Sequence, residues 1–311
     1  MFVVAGEALM DVFTGATTPT GIALDARIGG SPLNVAFGLA RMGQPVAFLG
    51  GLSNGQLGAR LADALHAEGV SLEAVHRSDA PTTISLIGLD AHGVPEYAFY
   101  GDGAADRTLP PEALERMPAA AKALHVGSYT MIVDKTAKTH AALIERVRGK
   151  LLVSYDPNLR LNVEPDVGAW RTTLDWMLPR IDILKLSDED LHLLYPGIDP
   201  FAFAADCLGK GAGLVALTRG GKGATAWHAN GVVEAAPVKV DVIDTVGAGD
   251  TFQAALLTRL AELGALSPKG VRTLTTTALQ DVMGFAARAA AITCSRRGAD
   301  LPRRGELTPA A

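Results

Sequence analysis

Short apolar runs alternate with stretches of helical spacing along most of this chain. Phe2-Val3-Val4-Ala5 is an apolar run ending at a glycine, the pattern of a buried strand. Gly30-Ser31-Pro32 then opens a helix on which Leu33, Ala36, Phe37 and Ala40 recur at helical spacing, and Gly43 closes it. Residues 46–49 give the next strand and residues 58–66 the next helix. From residue 123 onward the alternation is regular, with strands predicted at 124–127, 151–155, 181–186 and 214–218 and helices between them. Residues 224–227 and 232–234 read as a hairpin, and two long apolar helices follow over 247–263 and 275–293. Alternating strands and helices predict an α/β fold, a doubly wound, mostly parallel sheet covered on both faces. Ligands of such sheets bind beyond the carboxyl ends of the strands.

Two regions break this alternation. Thr83-Ile84-Ser85-Leu86-Ile87-Gly88-Leu89 has period two, Ala91-His92-Gly93 reads as a turn, and Tyr97-Ala98-Phe99-Tyr100 returns. Residues 8–28 also read as extended, with turn residues at 17–21. Together these predict a small sheet outside the main core. There is no internal repeat and no low-complexity linker, so residues 1–311 read as one domain carrying an insertion.

The composition is that of an ordinary globular protein, with 48% hydrophobic and 20% charged residues. A net charge of -5 with scattered lysine and arginine gives no electrostatic grip on nucleic acid or an anionic membrane. The two cysteines, Cys207 and Cys294, lack metal-site spacing and read as small buried side chains. No apolar run reaches the 18 residues of a membrane span, and the start has no basic segment of a signal peptide. The expectation is a cytoplasmic protein.

The strongest chemical signal is Asp244-Thr245-Val246-Gly247-Ala248-Gly249-Asp250-Thr251-Phe252, just ahead of an apolar helix. Two glycines in a first helical turn weaken it by roughly 1 kcal/mol each, a cost that points to a need for exposed backbone. The first N–H groups of a helix are unpaired and carry the positive end of its dipole. Small residues at Gly247, Ala248 and Gly249 let a phosphate reach them, forming an anion hole. Asp250 falls beside that hole, where a carboxylate can accept the proton of an attacking hydroxyl. Alone, the aspartate is equally an ordinary acidic helix start. Gly29-Gly30-Ser31-Pro32-Leu33-Asn34 supplies a second constellation: adjacent glycines that let a ligand touch backbone, and in Asn34 a donor and acceptor suited to sugar hydroxyls.

These two segments are the residues that carry a resemblance. Gly29-Gly30-Ser31-Pro32-Leu33-Asn34-Val35-Ala36, continuing to Arg41-Met42-Gly43, resembles the first signature of the ribokinase-like (PfkB-type) carbohydrate kinases, and residues 244–255 resemble the second. The likeness covers nearly all of the chain. It implies a ribokinase-like fold with a small β-sheet lid, formed here by residues 9–28 and 82–106, and an ATP-dependent kinase with Asp250 as base and Gly247, Ala248 and Gly249 as anion hole. It also implies that Asp11, with Gly30 and Asn34, binds sugar hydroxyls. On the lid, Tyr97, Phe99 and Tyr100 either face the sugar or pack the sheet, and Tyr100 is the candidate for substrate contact. Asp156-Pro157-Asn158-Leu159-Arg160 resembles a family segment near the sugar and phosphoryl group, which makes Asn158 and Arg160 candidates.

For the nucleotide, Thr218-Arg219-Gly220-Gly221-Lys222-Gly223 resembles the family's nucleotide loop, implying roles for Thr218, Gly220 and Gly223. Where the family usually shows Asn-x-x-Glu, linked to magnesium and phosphate, this chain has Ser187 and Asp190. An oxygen donor and a carboxylate are kept, so Asp190 is the Mg2+ candidate. Ala287, in an alanine-rich late helix, would leave room for adenine. Many relatives use a potassium-type ion, which here would lie near Asp244 and Arg297-Gly298-Ala299.

The likeness is closest to the fructokinases, so the expected acceptor is D-fructose. Gly101 follows Tyr100 where some relatives have arginine, which disfavours an acidic sugar such as 2-keto-3-deoxygluconate unless Arg107 or Arg160 compensates. Another sugar or a nucleoside is the alternative acceptor. A non-catalytic regulator on the same fold has no need of Asp250, and a nicotinamide enzyme would need a glycine-rich turn that Gly6-Glu7-Ala8 does not supply. Apolar lid residues allow a homodimer.

Overall fold

The computed structural model of the chain describes residues 1–89 and 95–307, so the turn expected at residues 91–93 lies outside the described residues. The strands are β1 (Phe2–Ala5), β2 (Leu9–Thr18), β3 (Gly21–Gly29), β4 (Val46–Leu49), β5 (Gly51–Ser53), β6 (His76–Ser78), β7 (Ile84–Leu89), β8 (Pro95–Tyr100), β9 (Ala123–Gly127), β10 (Leu152–Asp156), β11 (Ile183–Ser187), β12 (Leu214–Thr218), β13 (Ala224–His228) and β14 (Gly231–Ala235). The helices are α1 (Ser31–Arg41), α2 (Gln56–Ala67), α3 (Asp134–Val147), α4 (Val167–Met177), α5 (Asp188–Leu194), α6 (Pro200–Lys210), α7 (Ala248–Glu262), α8 (Pro268–Arg272) and α9 (Thr276–Cys294).

The main sheet has eight strands in the order β14-β13-β12-β11-β10-β9-β1-β4. β4, β1, β9, β10, β11 and β12 run parallel, and the β13–β14 hairpin closes one edge antiparallel. Both faces of these short apolar strands are covered. One face packs Phe2, Val4, Ile183 and Leu214 against α1, α7 and α9. The other packs Val3, Val126, Val153 and Leu184 against α3, α4 and α6. That is the doubly wound sheet expected from the alternation. α7 is buried nearly all round, which explains its apolar sequence.

A second sheet of four strands, β3-β2-β7-β8, stands apart from the main one. Two antiparallel hairpins are joined by parallel pairing of β2 with β7, which aligns Asp11 with Ser85. β5 and β6 form a further two-stranded sheet that the pattern did not indicate. Cys207 is buried and Cys294 only partly so. Among the described residues, no helix is long and apolar enough to cross a membrane.

Candidate active site

The carboxyl ends of β10 and β11, through Asp156 and Lys185, approach the first turn of α7. Gly247 caps that helix at φ 75°, and a Cβ there would lie 2.6 Å from the Ala299 Cβ. Its carbonyl accepts from both the N–H and the hydroxyl of Thr251, each at 2.8 Å. The Ala248 N–H already donates to the Thr245 carbonyl at 3.2 Å, so this member of the expected anion hole is engaged. The N–H groups of Gly249 and Asp250 sit in the first turn, where no intrahelical acceptor exists. The Gly249 and Asp250 N–H groups are thus left open at this terminus.

Asp250 is 7% exposed and held by both carboxylate oxygens. Ser31 Oγ donates to Oδ1 at 2.6 Å, and Asn34 Nδ2 donates to Oδ2 at 2.8 Å. The two glycine-bearing segments, far apart in sequence, thus converge on one carboxylate. Asn34 holds Asp250 through its amide nitrogen, which leaves its Oδ1 for other partners.

Beside Asp250 lies a buried ion pair. Lys185 Nζ is 2.7 Å from Asp156 Oδ2, with side chains 4% and 1% exposed. Burial pushes the Asp156 carboxyl up to about 6, against the pull of Lys185. Burial also works against the Lys185 ammonium, but Asp156, Asp190 and Asp250 outweigh it and hold its pKa above the ordinary value. Both groups are charged at neutral pH. Beneath them Gln253 Nε2 donates to Ser154 Oγ at 2.7 Å, and His125 Nδ1 lies 3.4 Å from the same hydroxyl. Burial, reinforced by Lys185, lowers His125 to about 3 and keeps it neutral.

Asp11 lies on β2, opposite Arg27 and Ser85. Burial raises its carboxyl, while the Ser85 hydroxyl and Arg160 pull the other way. A Cβ on Gly29 would collide with Asp11 Oδ2, and Gly30, at φ 113°, lies against the Glu7 carbonyl. Asn158 takes a left-handed conformation, φ 41°, and its Oδ1 accepts from Arg160 Nη1 at 2.6 Å. Tyr100 is 62% exposed at the end of β8, whereas Phe99 packs edge-on against Tyr129 with ring centroids 5.3 Å apart. The side chain of Tyr97 lies outside the described residues. Asp106 anchors the base of the second sheet, accepting from Thr83 Oγ1 and Tyr129 OH at 2.5 Å each.

At the end of β11, Ser187 Oγ caps α5 by accepting from the Asp190 N–H at 3.0 Å. Asp190 Oδ1 accepts from the Leu159 N–H at 3.1 Å. Thr218 ends β12, Gly220 turns at φ 49°, and Gly223 lies against the Ala235 carbonyl, where a Cβ would collide. A cavity of about 390 Å³ is lined by Val238, Val240, Arg288, Ala291, Ile292, Glu306 and Leu307. Ala287 lies one turn of α9 before Ala291 and is not itself among the lining residues. Asp244 ties two loops together, its Oδ1 accepting from the Val246 N–H at 3.1 Å and its Oδ2 from the Gly298 N–H at 2.8 Å. Burial works to raise this carboxyl, but those N–H groups together hold it below its usual value.

Sequence reasoning did not single out Ser31, Asp156, Lys185 or Glu7. One signal was available: Lys185 interrupts the apolar strand Ile183-Leu184-Lys185-Leu186, where a buried charge needs a partner.

The chain is similar to known proteins. The pattern of the pfkB family carbohydrate kinases matches residues 2–304. A fructokinase from Rhizobium leguminosarum bv. trifolii is 34% identical over 99% of this chain and 92% of its own length. Fructokinase-2 of Solanum lycopersicum is 31% identical over 87% of this chain and 82% of its own. Among solved structures, the fructokinase of Xylella fastidiosa with bound ATP superposes with a TM-score of 0.85 at 25% identity, covering 98% of this chain and 96% of that one. A double mutant of the fructokinase of Vibrio cholerae O395, with fructose, ADP and a potassium ion bound, superposes with a TM-score of 0.82 at 25% identity over 98% of this chain and 96% of the other. With its two signature segments joined at Asp250, the chain belongs to the pfkB family of carbohydrate kinases.

Proposed function

We propose that this protein is an ATP-dependent fructokinase in which Asp250 is the catalytic base. The observation that carries the reading is the Asp250 carboxylate, fixed by Ser31 and Asn34 beside two unpaired N–H groups of α7. The relatives named fructokinase support D-fructose as acceptor.

Asp11, Gly30, Asn34, Asn158 and Arg160 would bind the sugar in front of Asp250. The second sheet, with Tyr100 at its margin, acts as a lid that excludes water, a competing acceptor. The sugar oxygen forms a bond to the γ-phosphorus, and the bond to the β–γ bridging oxygen breaks with its electron pair left on ADP. The hydroxyl proton passes to Asp250. Negative charge on the phosphoryl oxygens falls to the N–H groups of Gly249 and Asp250, aimed before the reaction begins.

ATP would run from this hole past Ser187, Thr218, Gly220 and Gly223 to the apolar cavity, with Ala287 alongside. The Asp190 carboxylate has one oxygen beyond that bonded to Leu159, a hard donor that fits magnesium, which binds few protein groups and keeps waters. Magnesium there would neutralise phosphate charge. Asp244 keeps lone pairs beyond its two N–H bonds, so a potassium ion fits between the loops it joins. The cytoplasm holds both ATP and free sugars, and the protein would act there. Ile22 and Leu24, half exposed on β3, favour a homodimer through the second sheets.

The test is ADP release with Mg-ATP across fructose, ribose, glucose, 2-keto-3-deoxygluconate and adenosine. The rate is highest with fructose, and Asp250→Asn lowers it by roughly 10²–10⁴-fold with the fold intact. Another preferred acceptor would overturn the fructose assignment, and a fully active Asp250→Asn would remove Asp250 from the chemistry.

A further inference from the structure

Lys185 is placed where stability alone gives no reason to place it. Its side chain is buried in an apolar strand, and a buried ion pair is commonly no more stable than apolar residues of the same volume. It also approaches the wrong end of a helix. A Cβ on Gly249 would lie 2.9 Å from Lys185 Nζ, so the ammonium rests against the first turn of α7. Cations are unfavourable at the positive end of a helix dipole. Two positive features converge there, and the charges facing the ammonium are Asp156, Asp190 and Asp250, with neutral His125 below.

Gly249 thereby acquires a specific reason. Gly247 is required by its left-handed backbone and by Ala299, whereas Gly249 has an ordinary helical conformation and open space except for the lysine. A side chain at position 249 would press on the ammonium and make it shift, so glycine leaves Lys185 its place against the α7 terminus. Asp156, whose Oδ1 has no hydrogen-bond partner among the described residues, fixes the ammonium through its other oxygen.

We propose that Lys185 is a positioning residue of the transfer step: anchored by Asp156 and admitted by Gly249, it supplies fixed positive charge behind the anion hole. This rests on the reading of Asp250 as base and of the α7 terminus as the phosphoryl site. Lys185 exchanges no atom or proton. It opposes the negative charge on the phosphoryl oxygens as the sugar oxygen bonds to phosphorus and ADP departs.

The test separates charge from structure by removing both partners. Lys185→Met alone leaves Asp156 buried and unpaired, so its stability suffers. Asp156→Asn combined with Lys185→Met removes both charges and restores the melting temperature. The expected result is that the double variant stays slow, with kcat down by roughly 10²-fold while KM for fructose and ATP moves less than about threefold. Lys185→Arg recovers part of the loss. A double variant with kcat near wild type would overturn the proposal and leave the pair a structural one. If the double variant does not fold, Gly249→Ala decides: its added methyl favours the helix but displaces the ammonium. The expected effect is a fall in kcat at unchanged KM for ATP. Unchanged kcat overturns the proposal, as does a raised KM for ATP alone, which marks a blocked phosphate. Wild type and Asp250→Asn run alongside: a wild type without sugar-dependent ADP release sinks the kinase reading and this proposal with it. An active wild type, a dead Asp250→Asn and an active double variant sink this proposal alone.

Discussion

Asn34 Nδ2 donates to Asp250 Oδ2 at 2.8 Å across 216 residues of sequence, and Ser31 Oγ completes the clamp at 2.6 Å on Oδ1. Two helix N-termini are thereby tied at one carboxylate, which both hydrogen bonds hold in one orientation. Ser31→Ala removes one hydrogen bond to a charged group, worth roughly 1.5–3 kcal/mol. If that energy is spent on aiming Asp250, kcat/KM for fructose falls by about 10–100-fold. A steady-state assay checks it, and a rate within twofold of wild type would show that Asn34 alone suffices.

Much of the fold is legible in the sequence. The parallel strands, the hairpin at the sheet edge and α7 followed from periodicity, with limits within two residues of those observed. β5 and β6 were not legible, because three-residue strands such as Gly51-Leu52-Ser53 and His76-Arg77-Ser78 have no period to read and are held by tertiary contact. Asp250 stood out because glycines in a helix's first turn need a reason. Lys185 and Asp156 did not. Their partnership depends on the β10–β11 register, which pairs Tyr155 with Leu184 and sets the following residues side by side. The bond from the Ala248 N–H to Thr245 depends on the loop conformation, which no motif encodes.

Gly247 combines two demands that separate experimentally. Its φ of 75° costs a residue with a Cβ about 1–2 kcal/mol, and the clash with Ala299 adds to it. Gly264, at φ 70°, has nothing within 4 Å of its added Cβ. Gly247→Ala therefore lowers the melting temperature more than Gly264→Ala, and it alone lowers kcat by displacing the α7 terminus. Equal losses of stability would show that Ala299 yields without cost.

Asp11 lies between Arg27 and Ser85 on the second sheet, against Gly29, and makes no hydrogen bond to Asp250 among those described. Its expected role is to bind substrate, so Asp11→Asn raises KM for fructose roughly tenfold, leaving KM for ATP unchanged and kcat within a few-fold. Equal loss in both KM values would point to a distorted fold instead.

Glu7 gives a pH dependence of stability that can be isolated. It is 2% exposed, receives a hydrogen bond from Thr130 Oγ1 at 3.2 Å, and faces Arg160 and Asp106. Burial raises its carboxyl from 4.5 to about 7, opposed by its own backbone N–H, Ser128 and Arg160. The folded protein thus keeps a proton that the unfolded chain releases above pH 4.5. The resulting stability is present at low pH and is lost as pH rises towards about 7, an effect on the order of 3 kcal/mol. Glu7→Gln has no such proton, while Asp11 and Asp156 titrate alike in both proteins and cancel in the comparison. The melting temperature of Glu7→Gln relative to wild type therefore climbs between pH 5 and pH 8, by several degrees. Parallel curves across that range would mean that Glu7 is ionised in the folded protein, with Arg160 compensating its burial.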